Sequence, residues 1–381
     1  MRHIAYITGT RADYGLMREV LFSIRDSKDL KLTIIATGMH LMKEFGESIK
    51  LIREDGFDIQ IVDARYDNDS RNSMAFFFGN FSLGLARTLE RIKPDIVLVL
   101  GDRAEMLSAA SVATYLGIPS AHIHGGEVTS TVDESARHAI TKLANIHFPA
   151  TEDAARRIGK LGERKENIFV VGAPGLDNIT ENTLKKEDLE KRLGIKFSDK
   201  TAIVLQHPVS SESESSREHM KETIDAIKEL DIQTVIIYPN ADCGGREMIK
   251  EIESIDHREF SKIKAFRNLK HNEFLSLMKY SSVLVGNSSA GMIESSSFRI
   301  PVVNIGTRQS GRLRGKNVID TGYDRKEIMK AIKKSLTDKK YLEKIKASKN
   351  PYGDGRCSEK ITRILSEITL DDKLLQKRIT Y

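Results

Sequence analysis

The chain of 381 residues carries 60 basic and 54 acidic residues, for a formal net charge of +6, and 40% of its residues are hydrophobic. This length favours two domains with well-buried cores over a single domain. The small basic excess lies mostly in helical surface runs without interleaved aromatic residues. It argues against a nucleic-acid partner but is compatible with a pocket for a phosphorylated small molecule.

The two cysteines, Cys243 and Cys357, lie far apart and have no partner spacing, so we expect free thiols in a reducing compartment. The chain begins with a β-prone run, and neither a signal sequence nor a long apolar span is recognisable. We therefore expect a cytoplasmic protein without a membrane partner.

In the first half of the chain, short apolar β-prone runs alternate with runs of helical periodicity. The predicted strands cover residues 4–8, 32–36, 95–100, 120–124, 146–149 and 168–171. The predicted helices cover residues 16–24, a segment ending at 52, 106–116, 136–144 and 151–161. This alternation predicts an α/β fold with a parallel sheet covered on both faces.

The alternation returns after a polar stretch that starts at Gly172 and extends to about residue 200. Further strands are predicted over residues 202–205, 234–238, 263–266, 282–285 and 301–305, and a final helix over 358–368. We predict a doubly wound domain over 1–172, a second over 173–357, and a C-terminal segment, 358–381, that packs on the first domain. The two domains are expected to face each other across a cleft.

Two motifs of the second half follow predicted strands, where open α/β sheets bind ligands. They are His207-Pro-Val-Ser-Ser-Glu and Gly286-Asn-Ser-Ser-Ala-Gly-Met-Ile-Glu294. Small residues let the backbone approach a ligand, and a helix opening at Ala290 would attract a phosphate. Glu294 could accept hydrogen bonds from ribose hydroxyls, and Arg308 adds a permanent cation. These features predict a site for a nucleoside diphosphate.

Titratable residues also collect after the strands of the first half: Arg11, Asp13, His40, Asp102, Arg103, Glu105, His122, His124, Glu127, Asp133, Arg137 and His138. A lone aspartate at such a place caps a helix as readily as it catalyses. An arginine there suits phosphate recognition, with a surface ion pair as the alternative. The number of such groups favours a catalytic site over a purely binding one.

The pair His122 and His124 is separated by one residue, so on a strand both side chains would project to the same face. With Asp102 or Glu127 they could ligate a metal, which makes a metallohydrolase a rival interpretation. No third histidine has a recognisable ligand spacing, so a structural or substrate-binding histidine is favoured and no metal is predicted.

Nine motifs, in one order over almost the whole chain, resemble the hydrolysing UDP-N-acetylglucosamine 2-epimerases. They are Thr10-Arg-Ala-Asp-Tyr, Thr37-Gly-Met-His, Gly101-Asp-Arg, His122-Ile-His-Gly-Gly-Glu, Asp133-Glu-Ser-Ala-Arg-His, Gln206-His-Pro-Val, Tyr238-Pro-Asn-Ala-Asp, Gly286-Asn-Ser-Ser and Gly306-Thr-Arg-Gln. The resemblance implies the GT-B architecture of two Rossmann-like domains. It also implies a homodimer or homotetramer that converts UDP-N-acetylglucosamine to N-acetylmannosamine and UDP for sialic-acid synthesis.

The implied mechanism is anti elimination of UDP to give 2-acetamidoglucal, followed by syn addition of water with inverted configuration at C2. It requires acid/base groups and stabilisation of the leaving diphosphate, but no cofactor and no metal. By motif position the resemblance implies catalytic roles for Asp102, His124, Glu127, Asp133 and His207. The substrate-binding residues would be Arg11, His40, Arg103, Arg137, Asn240, Ser288, Ser289, Glu294 and Arg308.

The chain departs from the family at His124, where some members have an essential glutamate, so either His124 or Glu127 would take that role. The turn Gly9-Thr-Arg-Ala-Asp-Tyr points away from the non-hydrolysing relatives. The motifs do not separate UDP-N-acetylglucosamine from UDP-N,N'-diacetylbacillosamine as substrate. Loops over residues 40–45 and 66–78 are the candidates for facing C4 and C6 of the sugar. A GT-B glycosyltransferase and a non-catalytic sensor of UDP-sugars are the alternative functions.

Overall fold

A computed structural model describes residues 1–43, 47–68, 71–128, 133–177, 179, 181–239, 244–256, 258–378 and 380. The chain forms two compact units, one of Met1–Asp177 with Tyr352–Tyr381 and one of Asn178–Pro351. The chain therefore leaves the first unit once and returns to it at its C-terminal end. These boundaries assign residues 173–177 and 352–357 to the first unit, whereas the sequence placed the boundaries at 172 and 357.

The strands and helices have the following bounds. The strands are β1 (Arg2–Thr8), β2 (Leu30–Ala36), β3 (Ile59–Ile61), β4 (Ile96–Leu100), β5 (Ser120–Ile123), β6 (Ile146–Phe148), β7 (Thr201–Leu205), β8 (Gln233–Ile237), β9 (Ile263–Phe266), β10 (Val283–Gly286), β11 (Val302–Ile305) and β12 (Val318–Thr321). The α-helices are α1 (Arg11–Arg25), α2 (Ile49–Glu54), α3 (Arg71–Ile92), α4 (Ala104–Tyr115), α5 (Asp133–Leu143), α6 (Glu152–Lys160), α7 (Lys186–Leu193), α8 (Ser216–Leu230), α9 (Gly245–Glu253), α10 (His271–Tyr280), α11 (Ala290–Ile293), α12 (Arg325–Thr337), α13 (Lys339–Lys346), α14 (Cys357–Glu367) and α15 (Asp372–Leu375). In the described part of the chain, no helix is both long and apolar enough to cross a membrane.

Each unit is built on a parallel sheet with the strand order of a Rossmann fold. Over the described residues, the first sheet has the order β3-β2-β1-β4-β5-β6 and the second has the order β12-β11-β10-β7-β8-β9, with six strands in each. Counted from the first strand of each unit, the two orders are the same. The predicted α/β class, with two Rossmann-like doubly wound units, is therefore confirmed.

Strand β1 shows why the central strands are apolar along their whole length. Ile4 and Tyr6 belong to the core on one face of the sheet, which α1 and α14 cover. Ala5 and Ile7 alternate with them and belong to the core on the other face, which α3 and α4 cover. A strand buried on both faces has no position left for a polar side chain, so polar groups collect beyond its ends.

Helix α3 corrects the prediction of a loop over residues 66–78, because the helix begins at Arg71. Its side chains at helical spacing, Phe77, Phe81, Leu85 and Leu89, are buried against the sheet. Residue 45 of the other predicted loop lies outside the described residues. Strands β3 and β12 were not predicted, because edge strands of three and four residues carry too little apolar pattern.

The strand predicted over residues 168–171 is wrong. Ile168 makes only an isolated bridge to His147, although Phe169 and Val171 donate backbone hydrogen bonds to His147 and Pro149 carbonyls at 2.9 and 3.1 Å. Pro149 has no N–H to return a bond, so the ladder stops after one bridge.

The C-terminal segment completes the core of the first unit. Ile361 and Leu365 of α14 are fully buried with Met17 and Leu21 of α1. Cys357 at the start of α14 is a buried free thiol whose pKa burial raises far above its usual range. Cys243 lies outside the described residues.

The position of α14 predicts that Ile361→Ala lowers the free energy of unfolding by about 2–5 kcal/mol, because it removes a fully buried side chain and leaves a cavity. Chemical denaturation followed by circular dichroism measures this change. Leu375→Ala is the control, since Leu375 is 38% exposed, and it should cost less than about 1 kcal/mol. Equal midpoints for the two variants would show that α14 does not stabilise the core.

Candidate active site

The turn after β1 is shaped by the carboxylate of Asp13. This carboxylate accepts hydrogen bonds from the backbone N–H groups of Gly9 and Thr10, at 3.1 and 2.9 Å, and from the Thr8 and Thr10 hydroxyls. Thr10 and Asp13 form a capping box at the start of α1. Burial raises the pKa of Asp13 to about 6 against the effect of these donors. The capped turn leaves Arg11 exposed as the first residue of α1.

His40 lies in a short 3-10 helix after β2 and is completely buried. Its Nε2 is 2.8 Å from the Thr8 hydroxyl and its Nδ1 is 2.7 Å from the Ser48 hydroxyl. Burial, together with the charge of Arg103, lowers the pKa of His40 to about 4, so the ring is neutral at pH 7. With both ring nitrogens engaged by hydroxyls, His40 braces the turn after β1.

Arg103 is the N-cap residue of α4, and its side chain is held by a buried carboxylate two residues later. Its Nη2 donates to Glu105 Oε1 at 2.9 Å, and the same oxygen accepts the Tyr66 hydroxyl at 3.1 Å. Burial opposes the charge of Arg103, but the Glu105 charge and hydrogen bond leave its pKa raised. Among the described residues, Arg103 Nε and Glu105 Oε2 are buried without a partner. The unused Nε–H is a donor for an anionic ligand.

Arg137 of α5 connects the loops after β4 and β5. Its Nη2 donates to Asp102 Oδ2 and its Nη1 donates to the His124 carbonyl at 2.5 Å, while only 7% of its side chain is exposed. A buried guanidinium that reaches two loops fixes both of them. The structure therefore brings together four of the predicted site residues: Asp102, His124, Glu127 and Arg137.

His124 and Glu127 form a hydrogen-bonded pair through His124 Nδ1 and Glu127 Oε1, each side chain being 13% exposed. Strand β5 ends at Ile123, and His124 has a φ of 61°, so His124 does not share a strand face with His122. The expectation that the two histidines project together is wrong for this reason. Because Glu127 engages Nδ1, Nε2 is the ring nitrogen that remains for a substrate.

His122 is a buried structural histidine. Its Nε2 is 2.8 Å from the Gly101 carbonyl and its Nδ1 is 3.3 Å from the Thr141 hydroxyl. Burial lowers its pKa to about 3, so it remains neutral. Among the residues that the structure describes, no group of three His, Cys, Asp or Glu side chains is arranged to hold a metal ion.

Two predicted site residues fall where less is described. Asp133 is the first residue of α5, four positions before Arg137, but its side chain lies outside the described atoms. Asn240 lies outside the described residues altogether.

In the second unit, Asn287 joins the ends of β7 and β10. Its side-chain oxygen accepts the backbone N–H of His207 at 2.7 Å, and its amide donates to the His207 carbonyl at 2.9 Å. Gly286 precedes it with a φ of 133°, and an added Cβ would collide with the Leu205 carbonyl. Only glycine therefore allows this approach of the two strand ends.

The loop after β11 reaches the same asparagine. Arg308 Nη1 and Gln309 Nε2 donate to the Asn287 carbonyl at 3.3 and 2.9 Å. Ser288 is buried and Ser289 is half-buried beside it. Asn287 thus brings together predicted site residues from three loops. These residues are His207, Ser288, Ser289 and Arg308.

The expected phosphate site at a helix N-terminus needs correction. Helix α11 has only four residues, Ala290–Ile293, so few peptide dipoles are aligned and the helix makes little contribution to anion binding. Anion binding at this edge would depend on the side chains of Ser288, Ser289 and Arg308.

Glu294 follows α11 and is half-buried. Its Oε2 is shielded from solvent and has no partner among the described residues. Burial raises the pKa of Glu294 to about 7. A carboxyl group with a free buried oxygen at a strand-end loop is suited to accepting hydrogen bonds from a ligand.

Glu212 ties the segment after His207 to the loop that contains Arg308. Its two carboxylate oxygens accept the Thr307 and Tyr323 hydroxyls, each at 2.5 Å. A cavity of about 540 Å³ lies beside it, and the parallel rings of His219 and Tyr323 form one of its walls.

Sequence reasoning gave no role to Glu105, Asn287 and Gln309, which position the predicted residues. Glu105 was grouped with Asp102 and Arg103, but a glutamate in the first turn of a helix is most often solvated. Asn287 lies in the same motif as Ser288 and Ser289, and this motif was the sequence feature that could have identified Asn287 as part of the site.

Comparisons with known proteins give consistent results. The sequence model of the family described as UDP-N-acetylglucosamine 2-epimerase matches residues 23–366. The UDP-N,N'-diacetylbacillosamine 2-epimerase (hydrolyzing) of Legionella pneumophila is 41% identical over 385 residues, covering 100% of both chains. A UDP-N-acetylglucosamine 2-epimerase of Neisseria meningitidis is 35% identical, covering 88% of each chain. The crystal structure of a Neisseria meningitidis UDP-GlcNAc 2-epimerase bound to UDP-GlcNAc has a TM-score of 0.75 at 20% identity, covering 96% of this chain and 99% of that one, and so shows the same fold.

The contacts of Glu105 predict that Glu105→Gln lowers the free energy of unfolding by about 2 kcal/mol, because a charged acceptor of two hydrogen bonds is lost. Denaturant titration measures the change. Asp63→Asn removes an exposed carboxylate that pairs with Arg65 and serves as the control, with no measurable effect expected. If the two variants had the same stability, Glu105 would not hold Arg103.

Proposed function

The chain belongs to the UDP-N-acetylglucosamine 2-epimerase family, and we propose that it catalyses the hydrolysing reaction, which releases UDP and a free sugar inverted at C2. The substrate would be a UDP-linked 2-acetamido sugar. The observation that supports this proposal most directly is the grouping of Asp102, His124 and Glu127 around Arg137. Such a grouping supplies several acid/base groups at fixed positions, as elimination and hydration require.

UDP-N,N'-diacetylbacillosamine is the first candidate substrate. This choice is supported by the full-length relative that carries that name and is 41% identical. UDP-N-acetylglucosamine is the second candidate, supported by the Neisseria relative at 35% identity. The two sugars differ at C4 and C6, so the reaction at C1 and C2 is the same for both.

In the proposed elimination, a base removes the proton from C2 while the bond between C1 and the diphosphate oxygen breaks and UDP leaves. The electron pair of the C2–H bond becomes the double bond of the glycal. Water then adds syn, so that its hydroxyl goes to C1 and a proton goes to C2 on the same face of the double bond, and this face is opposite to the one from which the first proton was removed. We assign these proton transfers to Asp102, Asp133 and the pair of His124 with Glu127.

The pairing of His124 with Glu127 suggests how this chain replaces the family's glutamate. Glu127 holds the ring through Nδ1, and Nε2 is then the atom that exchanges a proton with the substrate. The histidine and the glutamate would act as one unit, as in other His–carboxylate pairs. The Arg137 contact with the His124 carbonyl would keep this unit at a fixed distance from Asp102.

We assign UDP recognition in the second unit to His207, Ser288, Ser289, Arg308 and Glu294. The hydroxyls and the guanidinium would contact the diphosphate, where Arg308 is always charged. Glu294 would accept the ribose hydroxyls with its unpartnered oxygen.

The deciding experiment is incubation with each UDP-sugar in deuterated water, with a chelator and without an acceptor sugar. NMR should detect UDP and the free 2-epimer, with one deuterium at C2. An unchanged UDP-sugar would contradict the proposal, and a UDP-linked product would indicate the non-hydrolysing reaction. Turnover only after an acceptor is added would indicate a glycosyltransferase.

Asp102→Asn and Asp133→Asn are each expected to lower kcat by about 10²- to 10⁴-fold, because an amide cannot exchange the proton. Calorimetry should find UDP affinity unchanged in both variants. Asp26→Asn, which removes an exposed carboxylate of the same unit, is the control and should retain full activity. Wild-type turnover in both site variants would remove the two carboxylates from the mechanism.

UDP binding at pH 7 is expected to release a proton from Glu294. The free carboxyl group has a pKa raised to about 7 by burial, and hydrogen bonds from ribose hydroxyls stabilise its charged form and lower that pKa. Less than one proton per UDP should therefore leave, because a group whose pKa lies near the pH is only partly protonated before binding.

Calorimetry in two buffers of different ionisation enthalpy measures this release. Glu294→Gln should bind UDP more weakly and release no proton, while Glu253→Gln, in which an exposed carboxylate is changed, should behave as the wild type. Proton release that persists in Glu294→Gln would assign it to another group.

A further inference from the structure

The last turn of α5 is capped by a lysine from the C-terminal end of the chain. Lys377 Nζ donates to the carbonyls of Thr141, Lys142 and Ala144 at 3.2, 2.7 and 2.5 Å. The last carbonyls of a helix have no partner within the helix, and a cation there is favoured by the helix dipole. One ammonium group thus reaches two carbonyls of the last turn of α5 and the carbonyl of the residue that follows the helix.

The same ammonium group pairs with a buried carboxylate, although 26% of the Lys377 side chain is exposed. Glu163, with 3% of its side chain exposed, accepts Lys377 Nζ at 2.6 Å, Lys142 Nζ at 2.7 Å and His147 Nε2 at 3.1 Å. Burial raises the pKa of Glu163, but the hydrogen bonds from His147 and the two lysines outweigh it and lower the pKa to about 2. Glu163 is therefore ionised, and removal of one lysine would leave it poorly compensated.

The backbone around Lys377 is itself fixed. Asn145 Nδ2 donates to the Leu374 carbonyl at 2.9 Å, and Arg164 Nη1 donates to the Lys373 carbonyl at 3.0 Å. Leu374 is buried in the core of the first unit. The terminal segment is thus anchored at several points, and the position of Lys377 is determined by the fold.

The turn of α5 that precedes the capped end contributes Arg137 to the candidate active site. Arg137 lies four residues, or about 6 Å along the helix axis, before Thr141. Its guanidinium contacts Asp102 and the His124 carbonyl. A helix moves as a rigid rod over one turn, so a shift of the capped end would displace Arg137 from both contacts.

We propose that Lys377 is a positioning residue for the reaction. It holds the C-terminal turn of α5 on Glu163, and thereby holds Arg137 against Asp102 and the loop of His124. This inference rests on the proposed function, because its effect on rate concerns the acid/base groups of that reaction. Its effect on α5 itself does not depend on the reaction.

The test compares Lys377→Met with Lys377→Arg and with Lys373→Met. Methionine keeps the length of the side chain but removes the charge and the donors, whereas arginine keeps both. Lys373 is the matched control in the same segment, since its side chain is 69% exposed and pairs only loosely with Glu166, at 3.4 Å.

We expect Lys377→Met to lower kcat by about 10- to 100-fold, because small misplacements of catalytic groups cost up to about 10²-fold. The KM for the UDP-sugar should change less than about twofold, since α5 lies outside the unit assigned to UDP recognition. Lys377→Arg should recover most of kcat, and Lys373→Met should match the wild type. The kcat values are calculated per molecule of protein that binds UDP, so that a smaller fraction of folded protein does not lower the kcat of a variant.

Hydrogen exchange of residues 133–143, measured by mass spectrometry, is the readout that does not depend on turnover. Exchange at the end of α5 should rise in Lys377→Met and return toward the wild type in Lys377→Arg. If the wild type turned over no UDP-sugar, the proposed function would fail, while the exchange data would still test the link between Lys377 and α5.

Unchanged exchange or unchanged kcat in Lys377→Met would overturn the inference, and so would equal changes in kcat for Lys377→Met and Lys373→Met. If Lys377→Met does not fold, Lys377→Gln takes its place, because glutamine removes the charge that pairs with Glu163 but keeps donors for the helix carbonyls, and smaller changes of kcat and exchange in the same directions are then expected. The same outcomes then decide.

Discussion

In the first unit, the positions of the candidate acid/base groups depend on one buried guanidinium, that of Arg137. Arg137 donates to Asp102 and to the His124 carbonyl, and so joins the loops that follow two neighbouring strands of the sheet. Burying a charge is costly unless it is paired, so the cation and its two acceptors constrain one another's positions, although Arg137 Nε has no partner among the described residues. The reactive groups are held by this requirement rather than by the loops themselves.

In the second unit, a neutral side chain, that of Asn287, connects the loops that follow the strands. Asn287 makes two hydrogen bonds to the backbone of His207 and accepts two more on its own carbonyl from Arg308 and Gln309. An amide can donate and accept at once, and this allows it to connect three loops without a net charge. The Asn287 carbonyl thereby helps to position Arg308.

Both units leave a few polar atoms unused within the part of the chain that is described. Arg103 Nε, Glu105 Oε2 and Glu294 Oε2 are three of the nine buried side-chain atoms without partners among the described residues, although buried polar atoms are normally satisfied. Arg103 and Glu105 lie at the start of α4, which follows β4, and Glu294 lies just after the short helix α11, which follows β10. These segments are at the carboxyl ends of parallel strands, where this fold binds ligands. Leaving buried polar atoms unpaired destabilises the protein without its ligand, which is consistent with a role of these atoms in ligand binding. Burial also raises the pKa of Glu294.

The sequence by itself determined the fold class, most of the strands and the groups at their ends, because strands buried on both faces must be apolar throughout and polar residues must follow them. It also identified Asp102, His124, Glu127 and Arg137 as candidates, through motifs that are local in the chain. It missed helix α3 and the edge strands, and it placed His122 and His124 on one face although the strand ends between them.

Only the tertiary structure decided how the candidates are held. The contacts of Lys377 with Thr141 join residues 236 positions apart, and Glu105 is a buried acceptor only because the chain folds over it. Periodicity and motifs record local geometry, whereas these contacts arise when distant segments are packed together and buried polar groups must find partners.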